Sequence, residues 1–288
     1  MTRCAICESS RSRLLCRKGG AFYYHCPECL VIFQYPVPPQ EAMVSYADSE
    51  YEHGAYRDYV QAREMKLEHF RIRLEQFLPR VRHGSLLDVG CSCGYFMQVA
   101  AANGFEVEGL EFSRAAVSAA NTSVRSRIVC SSVDAFAGTQ RYDLITAFDL
   151  IEHVPRPKDF LARLRQLLAP GGSLVMTTPD AGHFLRYVMR SHWPMLQPMQ
   201  HLTIFSRHSM RLALEEAGFV DISFERATKT ISYDYLTDQL LALSPALHGT
   251  MRFVGRCLPS GMRKKYRQVN IGEFMVLAKP GEAQGARQ

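Results

Sequence analysis

From residue 85 onward, short apolar runs alternate with stretches whose apolar residues recur at helical spacing. The runs at 85–89, 105–110, 127–131, 142–147 and 172–177 read as strands. Residues 95–103, 114–123 and 157–168 read as the helices between them, the last with Phe160, Leu161, Leu164, Leu167 and Leu168 on one side. Pro170-Gly171-Gly172 is expected to end that helix. Alternating strands and helices predict a mostly parallel sheet covered on both faces. Ser206 reads as the N-cap of a further helix, with Met210, Ala213, Leu214 and Ala217 on one face and Gly218 at its end. Two late strands, 219–225 and 269–277, bring the count to seven, and an insert, 226–268, lies between them.

Upstream the pattern changes. Residues 40–83 carry Tyr46, Tyr51, Tyr56 and Tyr59, then an apolar helical stripe of Met65, Leu67, Phe70, Ile72, Leu74, Phe77 and Leu78. This predicts a connecting helix packed on the main domain, with one or two tyrosines able to line a cleft. Residues 1–39 have no such stripe. They hold two cysteine pairs around a Phe22-Tyr23-Tyr24 strand and end in Pro36, Pro38 and Pro39. A segment this short is expected to bury little core of its own and to draw its stability from a metal. The division expected is therefore 1–39 (a cysteine module), 40–83 (a connector), 84–225 (the sheet domain), 226–268 (a helical cap), 269–279 (a last strand) and 280–288 (a disordered tail).

Composition changes little in this picture. The chain has 288 residues, 47% apolar and 22% charged, as an ordinary globular protein does. No apolar run reaches the ~18 residues of a transmembrane helix. Met1–Cys7 lacks the apolar core of a signal peptide, so a cytoplasmic location is expected. A net charge of +6 permits acidic substrates or RNA and requires neither. In the insert, Leu236, Leu240, Leu241, Leu243, Leu247, Met251, Phe253 and Val254 precede a basic run, Arg263-Lys264-Lys265-Tyr266-Arg267. That segment reads as a helical hairpin over the core. A substrate cap, a dimer surface and a peripheral membrane-surface helix are the alternatives.

Four of the nine cysteines have a ligand pattern. Cys4, Cys7, Cys26 and Cys29 form two C-x2-C pairs with 18 residues between them. In a reducing compartment two such turns deliver four thiolates to one structural zinc ion. Cys91 and Cys93 sit in a glycine turn as small residues.

That turn carries the main chemistry. Ser85-Leu-Leu-Asp88-Val-Gly90-Cys91-Ser92-Cys93-Gly94 reads as strand, tight turn and helix start. Ligands of open α/β sheets sit beyond the carboxyl ends of the strands. A dinucleotide fingerprint would need glycine at 90, 92 and 95, but the chain has Gly90, Ser92 and Tyr95, so NAD is disfavoured. Asp88 at the strand end suits a cationic group. Glu111 closes the next strand 23 residues later, where a carboxylate can accept both hydroxyls of a ribose. Phe112 can cover an adenine face. Ser132 and Val133 follow the third strand, and Asp149 follows the fourth in Phe148-Asp149-Leu150-Ile151-Glu152-His153-Val154-Pro155.

The loop Asp88-Val-Gly90-Cys-Ser92-Cys-Gly94 resembles motif I of the class I S-adenosylmethionine (SAM) methyltransferases, Asp-x-Gly-x-Gly-x-Gly, with Ser92 at the middle glycine. Arg141–Thr146, Asp149–Val154 and Leu168–Pro179 resemble the later motifs of that family. Glu152-His153-Val154 is similar to its ubiquinone-biosynthesis-like branch, as is Trp193 with His201-Leu-Thr-Ile-Phe-Ser206 and Glu216-Ala-Gly-Phe219. The cysteine module resembles the small zinc-binding unit fused to some bacterial members, sugar C-methyltransferases included. The resemblance implies a Rossmann-like, seven-stranded, mostly parallel sheet with helices on both faces and a small N-terminal zinc ribbon. It implies SAM bound by Asp88, Gly90, Cys91, Ser92, Gly94, Glu111, Phe112, Ser132, Val133 and Asp149. It implies an enzyme that methylates an oxygen or carbon atom of a small-molecule or glycan acceptor.

Such an acceptor loses a proton, and a histidine suits that task. His201, in a long segment expected to overhang the cleft as a shaped lid, and His153 are the candidate bases; each has a structural alternative of equal weight. Asp149, Glu152 and His153 can also be read as a divalent-cation set or as plain cleft acidity. A second function class is an RNA methyltransferase with a zinc module. It would call for a stronger basic surface than five Lys or Arg against two Glu in residues 1–35, so nucleic acid is not the expected partner.

Overall fold

A computed structural model describes residues 2–53, 62–243 and 245–282. Tyr56, Tyr59 and most of the expected tail, 283–288, lie outside the described residues, as do the side chains of Tyr51, Leu240, Leu241, Leu243 and Leu247. The chain begins with β1 (Arg13–Lys18), β2 (Ala21–His25) and β3 (Ile32–Gln34), then α1 (Gln40–His53) and α2 (Arg63–Phe77). The alternating region follows as β4 (Ser85–Val89), α3 (Tyr95–Ala102), β5 (Glu106–Glu111), α4 (Arg114–Ala119), α5 (Thr122–Arg125), β6 (Ile128–Cys130) and β7 (Tyr142–Phe148). A 3-10 turn at Ile151–His153 leads to α6 (Pro157–Leu167), β8 (Leu168–Pro179) and α7 (Phe184–Met189). Then come β9 (Thr203–Ile204), α8 (Arg207–Glu216), β10 (Phe219–Ile231), α9 (Tyr233–Leu243), α10 (Pro245–Arg256), α11 (Ser260–Lys264) and β11 (Arg267–Pro280).

The central sheet has seven strands in the order β10-β11-β8-β7-β4-β5-β6. β8, β7, β4, β5 and β6 are parallel, and β11 and β10 add an antiparallel edge. Strand order reverses at β4, which puts the ligand crevice at the carboxyl ends of β4, β5 and β7. Period-two alternation sends neighbouring residues to opposite faces. Leu87, Ile145 and Leu174 pack with Phe160, Leu164, Met210 and Leu214 on one face. Leu86, Leu144 and Val175 pack with Leu74, Phe77, Phe96 and Met97 on the other. Sheet strands without exposed faces are what near-continuous apolar runs encode.

Four expectations shift. The helix expected over 114–123 breaks into α4 and α5, because Asn121 caps a new turn by accepting from the Ser123 N–H. Pro170-Gly171-Gly172 lies inside β8, since α6 has already stopped at Leu167. β10 reaches six residues into the expected insert and β11 two, so the insert shrinks to α9–α11. The cysteine module is not an isolated unit. Its sheet, β1-β2-β3-β9, takes its fourth strand from the segment that carries His201. Tyr23 and Ile32 are buried against Trp193, Leu196 and Ile204, and Cys4, Cys26 and Cys29 join the main core. The module thus gains apolar burial that its own 39 residues do not supply. Ser206 caps α8 as expected, with a reciprocal Ser209 bond.

Candidate functional site

The turn after β4 is built by backbone geometry. Gly90 has φ +73° and Gly94 φ +71°, and a Cβ at Gly94 would stand 2.8 Å from Val124 Cγ2. Ser92, at φ +50°, holds the same left-handed region without being glycine. Its N–H donates to Glu111 Oε2 at 2.9 Å. The Ser113 N–H donates to Glu111 Oε1 at 2.9 Å, so one carboxylate ties the turn to the start of α4. Asp88, also buried, accepts from Thr146 Oγ1 at 2.7 Å. Burial pushes Asp88 up to about 7, against the Thr146 bond, and raises Glu111 against its backbone donors. Two buried carboxylates with raised pKa values, at neighbouring strand ends, favour a ligand that brings positive charge and donors. The Cys91 side chain packs under the sheet, where Gly109 leaves room for its sulfur, so only its backbone faces the turn. Phe112 is 44% exposed beside Glu111, Val133 is buried, and Ser132 Oγ accepts from the Ala135 N–H.

The two histidines come together at the other side of the cleft. Their ring centroids lie 5.0 Å apart. His153 Nδ1 is 2.8 Å from the Gln200 carbonyl, and His201 Nδ1 is 2.7 Å from that of Met195. A carbonyl only accepts, so each Nδ1 carries the proton and each Nε2 keeps its lone pair. Burial, and then His153, holds His201 near 3; burial also lowers His153. Both rings are therefore neutral at neutral pH. The 193–206 segment is packed rather than open: Trp193 and His201 are both buried. It is held by β3–β9 pairing and by the Leu202 N–H donating to the Glu152 carbonyl at 2.7 Å. Glu152 accepts from Thr178 Oγ1 at 2.9 Å, and burial, then Asp149, raises its pKa well above normal. Glu152, His153 and His201 present ligand atoms within 4.8 Å of one another.

α1 spans the two sides. Asp48 accepts from Ser113 Oγ at 2.9 Å, and Gln200 Nε2 donates to the Tyr46 hydroxyl at 3.3 Å. Tyr46, one of the expected cleft tyrosines, reaches this edge through that bond. Asp149, at φ +51°, accepts from Thr177 Oγ1 and is ion-paired with Lys229. Lys229 also meets Glu273 at 3.1 Å. Burial alone would raise Asp149; Lys229 and Arg73 outweigh it and hold the carboxyl below the usual range. Burial, then Lys229, lowers Lys66 to about 8. Buried Arg73 donates to the Thr228 carbonyl at 2.8 Å, and buried His69 meets Thr230. None of Lys66, His69, Arg73, Lys229 and Glu273 stood out in the sequence. One signal was available: Glu273 is a lone acid opening the apolar run Phe274–Ala278.

In the cysteine module, Cys4 and Cys29 Sγ lie 3.5 Å apart, as do Cys7 and Cys26, and all four Sγ fall within 4.8 Å. A tetrahedral zinc with ~2.3 Å Zn–S bonds has sulfur–sulfur edges of about 3.8 Å. The donor set fits that ion.

A family profile described as "Methyltransferase domain" matches residues 57–223, more than half of the chain. The chain belongs to the methyltransferase-domain family. Curated relatives within reach include the ubiquinone biosynthesis O-methyltransferase of Leptothrix cholodnii, 28% identical over 36% of this chain and 48% of that protein. The Coxiella burnetii enzyme of the same name is 30% identical over 32% and 42%. The match thus spans less than half the length of these relatives. Among solved structures, phosphoethanolamine N-methyltransferase 2 of Haemonchus contortus with S-adenosyl-L-methionine matches with a TM-score of 0.55 and 17% identity, over 87% of this chain and 62% of that one. A possible histamine N-methyltransferase of Thermotoga maritima matches at 0.53 and 14%, over 81% and 98%. At such identities these methyltransferase structures speak for the Rossmann-like fold alone. No described helix is long and apolar enough to cross a membrane.

Proposed function

We propose that the chain transfers the methyl group of SAM to an oxygen or carbon atom of a small-molecule or glycan acceptor. The observation that carries this reading is the pair of buried acids, Asp88 and Glu111, at adjacent strand ends around the Gly90–Gly94 turn. Asp88 would face the cationic part of the cofactor and Glu111 its ribose hydroxyls, with Phe112, Ser132 and Val133 toward the adenine. The backbone of Gly90–Gly94 would line the crevice. Lys229 engages the Asp149 carboxylate, which leaves the Asp149 main chain for the cofactor. The relatives named for ubiquinone O-methylation support a small-molecule acceptor. The cysteine module, as in the sugar enzymes it resembles, supports a glycan.

SAM, when bound, supplies an electrophilic methyl group. The chain's part is to hold the acceptor in line and to take its proton. His153 offers an unprotonated Nε2 for that; His201, held near 3, is too weak a base to keep a proton at neutral pH, so its part would be to orient the acceptor. Zinc, held by Cys4, Cys7, Cys26 and Cys29, leaves no open position and would be structural only.

Calorimetric titration with SAM tests the reading. Glu111→Ala should weaken binding by about 2–3 kcal/mol through lost charge-assisted bonds. Unchanged affinity would defeat the assignment. With an acceptor identified by its gain of one methyl mass, His201→Gln and His153→Gln should bind SAM normally and lose roughly 10²–10⁴ in turnover. Full turnover in both variants would leave positioning as the whole of catalysis.

A further inference from the structure

We propose that α10, α11 and the start of β11 form a docking surface for an anionic lipid membrane. Residues 239–272 contain six Lys or Arg and no Asp or Glu, in a chain with 28 acids. Arg263 pairs with Asp234, across from it on α9. Arg252, Arg256, Lys264, Lys265 and Arg267 are exposed and pair with no carboxylate among the described residues. The charge is thus unbalanced over one continuous stretch of surface.

Apolar side chains stand among these cations. Phe253 is 65% exposed and Met262 51%, and Val254 and Tyr266 are also exposed. On α10 the packed side is fixed: Gly255 lies against the Tyr233 ring, and the Tyr233 hydroxyl donates to the Met251 carbonyl. Helical periodicity puts Phe253 opposite that packed side, flanked by Arg252 and Arg256. A cationic helix face with a protruding aromatic residue is the form that lies in a headgroup layer, the ring in the acyl boundary and the guanidinium groups on phosphates.

Charge complementarity selects the occupant. A second copy would bring one cationic face against another. Single-stranded nucleic acid would use Phe253 and Tyr266 as stacking platforms, but Val254 and Met262, exposed beside them, have no planar face and suit acyl chains instead. The placement also fits a surface role. Glu273 pairs with Pro179 at the end of β8, and β11 begins six residues earlier, at Arg267. At ~3.3 Å per residue, the β10–β11 ribbon carries α9–α11 roughly 20 Å past the carboxyl edge of the sheet. The basic surface therefore stands on the same side of the molecule as the ligand crevice.

Sedimentation of the full chain with vesicles tests this, comparing phosphatidylcholine alone with vesicles about one third phosphatidylglycerol, in about 0.1 M salt. The chain should pellet with the anionic vesicles only. Each basic residue near such a surface contributes about fivefold to partitioning, so Lys264→Glu/Lys265→Glu/Arg267→Glu should lower it a hundredfold or more. Phe253→Ser should lower it several-fold and leave the rest more salt-sensitive. Thermal midpoints and SAM affinity should match the parent in both variants. The SAM titration keeps this result separate from the proposed methyl transfer, which can fail while the vesicle result stands. Equal partitioning to both vesicle types, or a triple variant that pellets like the parent, would overturn the proposal. So would RNA binding without vesicle binding, or a dimer broken by Phe253→Ser without vesicle binding; these would assign the surface to nucleic acid or to a second copy.

Discussion

The two sides of the crevice are built in different ways. On the β4–β5 side, each polar group comes from a strand end and the turn that follows it. Asp88, Ser92, Glu111 and Ser113 lie within 26 positions, and Glu111 accepts from the Ser92 and Ser113 N–H groups. On the β7–β8 side, the groups come from α2, the 3-10 turn, the 193–206 segment, β10 and β11. Lys229 meets Asp149 from 80 residues away. A local site is specified by a motif, whereas a dispersed one is specified only by the fold. The first should therefore tolerate damage at a distance, and the second should not.

The largest test of that difference is removal of a cysteine. Cys29 lies in the core, and its carbonyl accepts from Ser206 Oγ at 3.1 Å beside the histidine segment. Loss of a structural metal is among the few changes that cost more than about 4 kcal/mol. Cys29→Ser should lose stoichiometric zinc by metal analysis and melt well below the parent. Hydrogen exchange should show the amides of Gln34 and Leu202 losing protection before those of Gly90 and Cys91. Equal loss on both sides would erase the distinction.

Lys229→Met comes next. It leaves Asp149 and Glu273 facing each other without their cation. A fully buried pair broken this way costs about 3–5 kcal/mol; Asp149 is 35% exposed, so solvent screening reduces this to about 2 kcal/mol. Chemical denaturation should find that loss, and SAM affinity should hardly move. Adding Asp149→Asn should recover part of the stability. A fall in SAM affinity equal to that of Glu111→Ala would make the two sides one unit.

A pH dependence is expected on the local side. Asp88 stands near 7 in the fold against 3.8 unfolded. Its contribution to stability is therefore fully present below about pH 4 and lost as pH rises through 7. Its carboxylate form is the one that a cationic ligand prefers. Affinity for SAM should thus fall as pH drops below about 7, by up to tenfold per unit. Asp88→Asn should flatten both profiles. A parent whose SAM affinity is constant from pH 5 to 8 would remove Asp88 from the cofactor's charged end.

The same contrast explains what could be read from the sequence. β4, α3, β5 and β7 lie within a residue or so of their expected bounds, because period and turn chemistry act over a few positions. The pairing of His153 with His201 was not legible, although both were singled out, since it depends on β9 joining β3. Lys229 falls in the expected insert, 226–268, where no local pattern marks it. Only its antiparallel neighbour strand, beginning nearly forty residues later, shows that it is inside. Whether the acids near the histidines are cleft charge or a cation set was equally beyond a pattern of one residue type.

The β3–β9 pairing also has a consequence for assembly. Ile32 and Phe33 meet Ile204 and Thr203 across some 170 intervening residues, a contact of very high sequence separation. Closing a loop of that length is slow and comes late, after the nearer strands have paired. During synthesis the first hairpin emerges early, yet β3 has one unpaired edge until residue 204 has been made. That edge, bearing Ile32 and Phe33, is a template for pairing with the wrong chain. The cysteine module is thus made well before the segment that locks it in place.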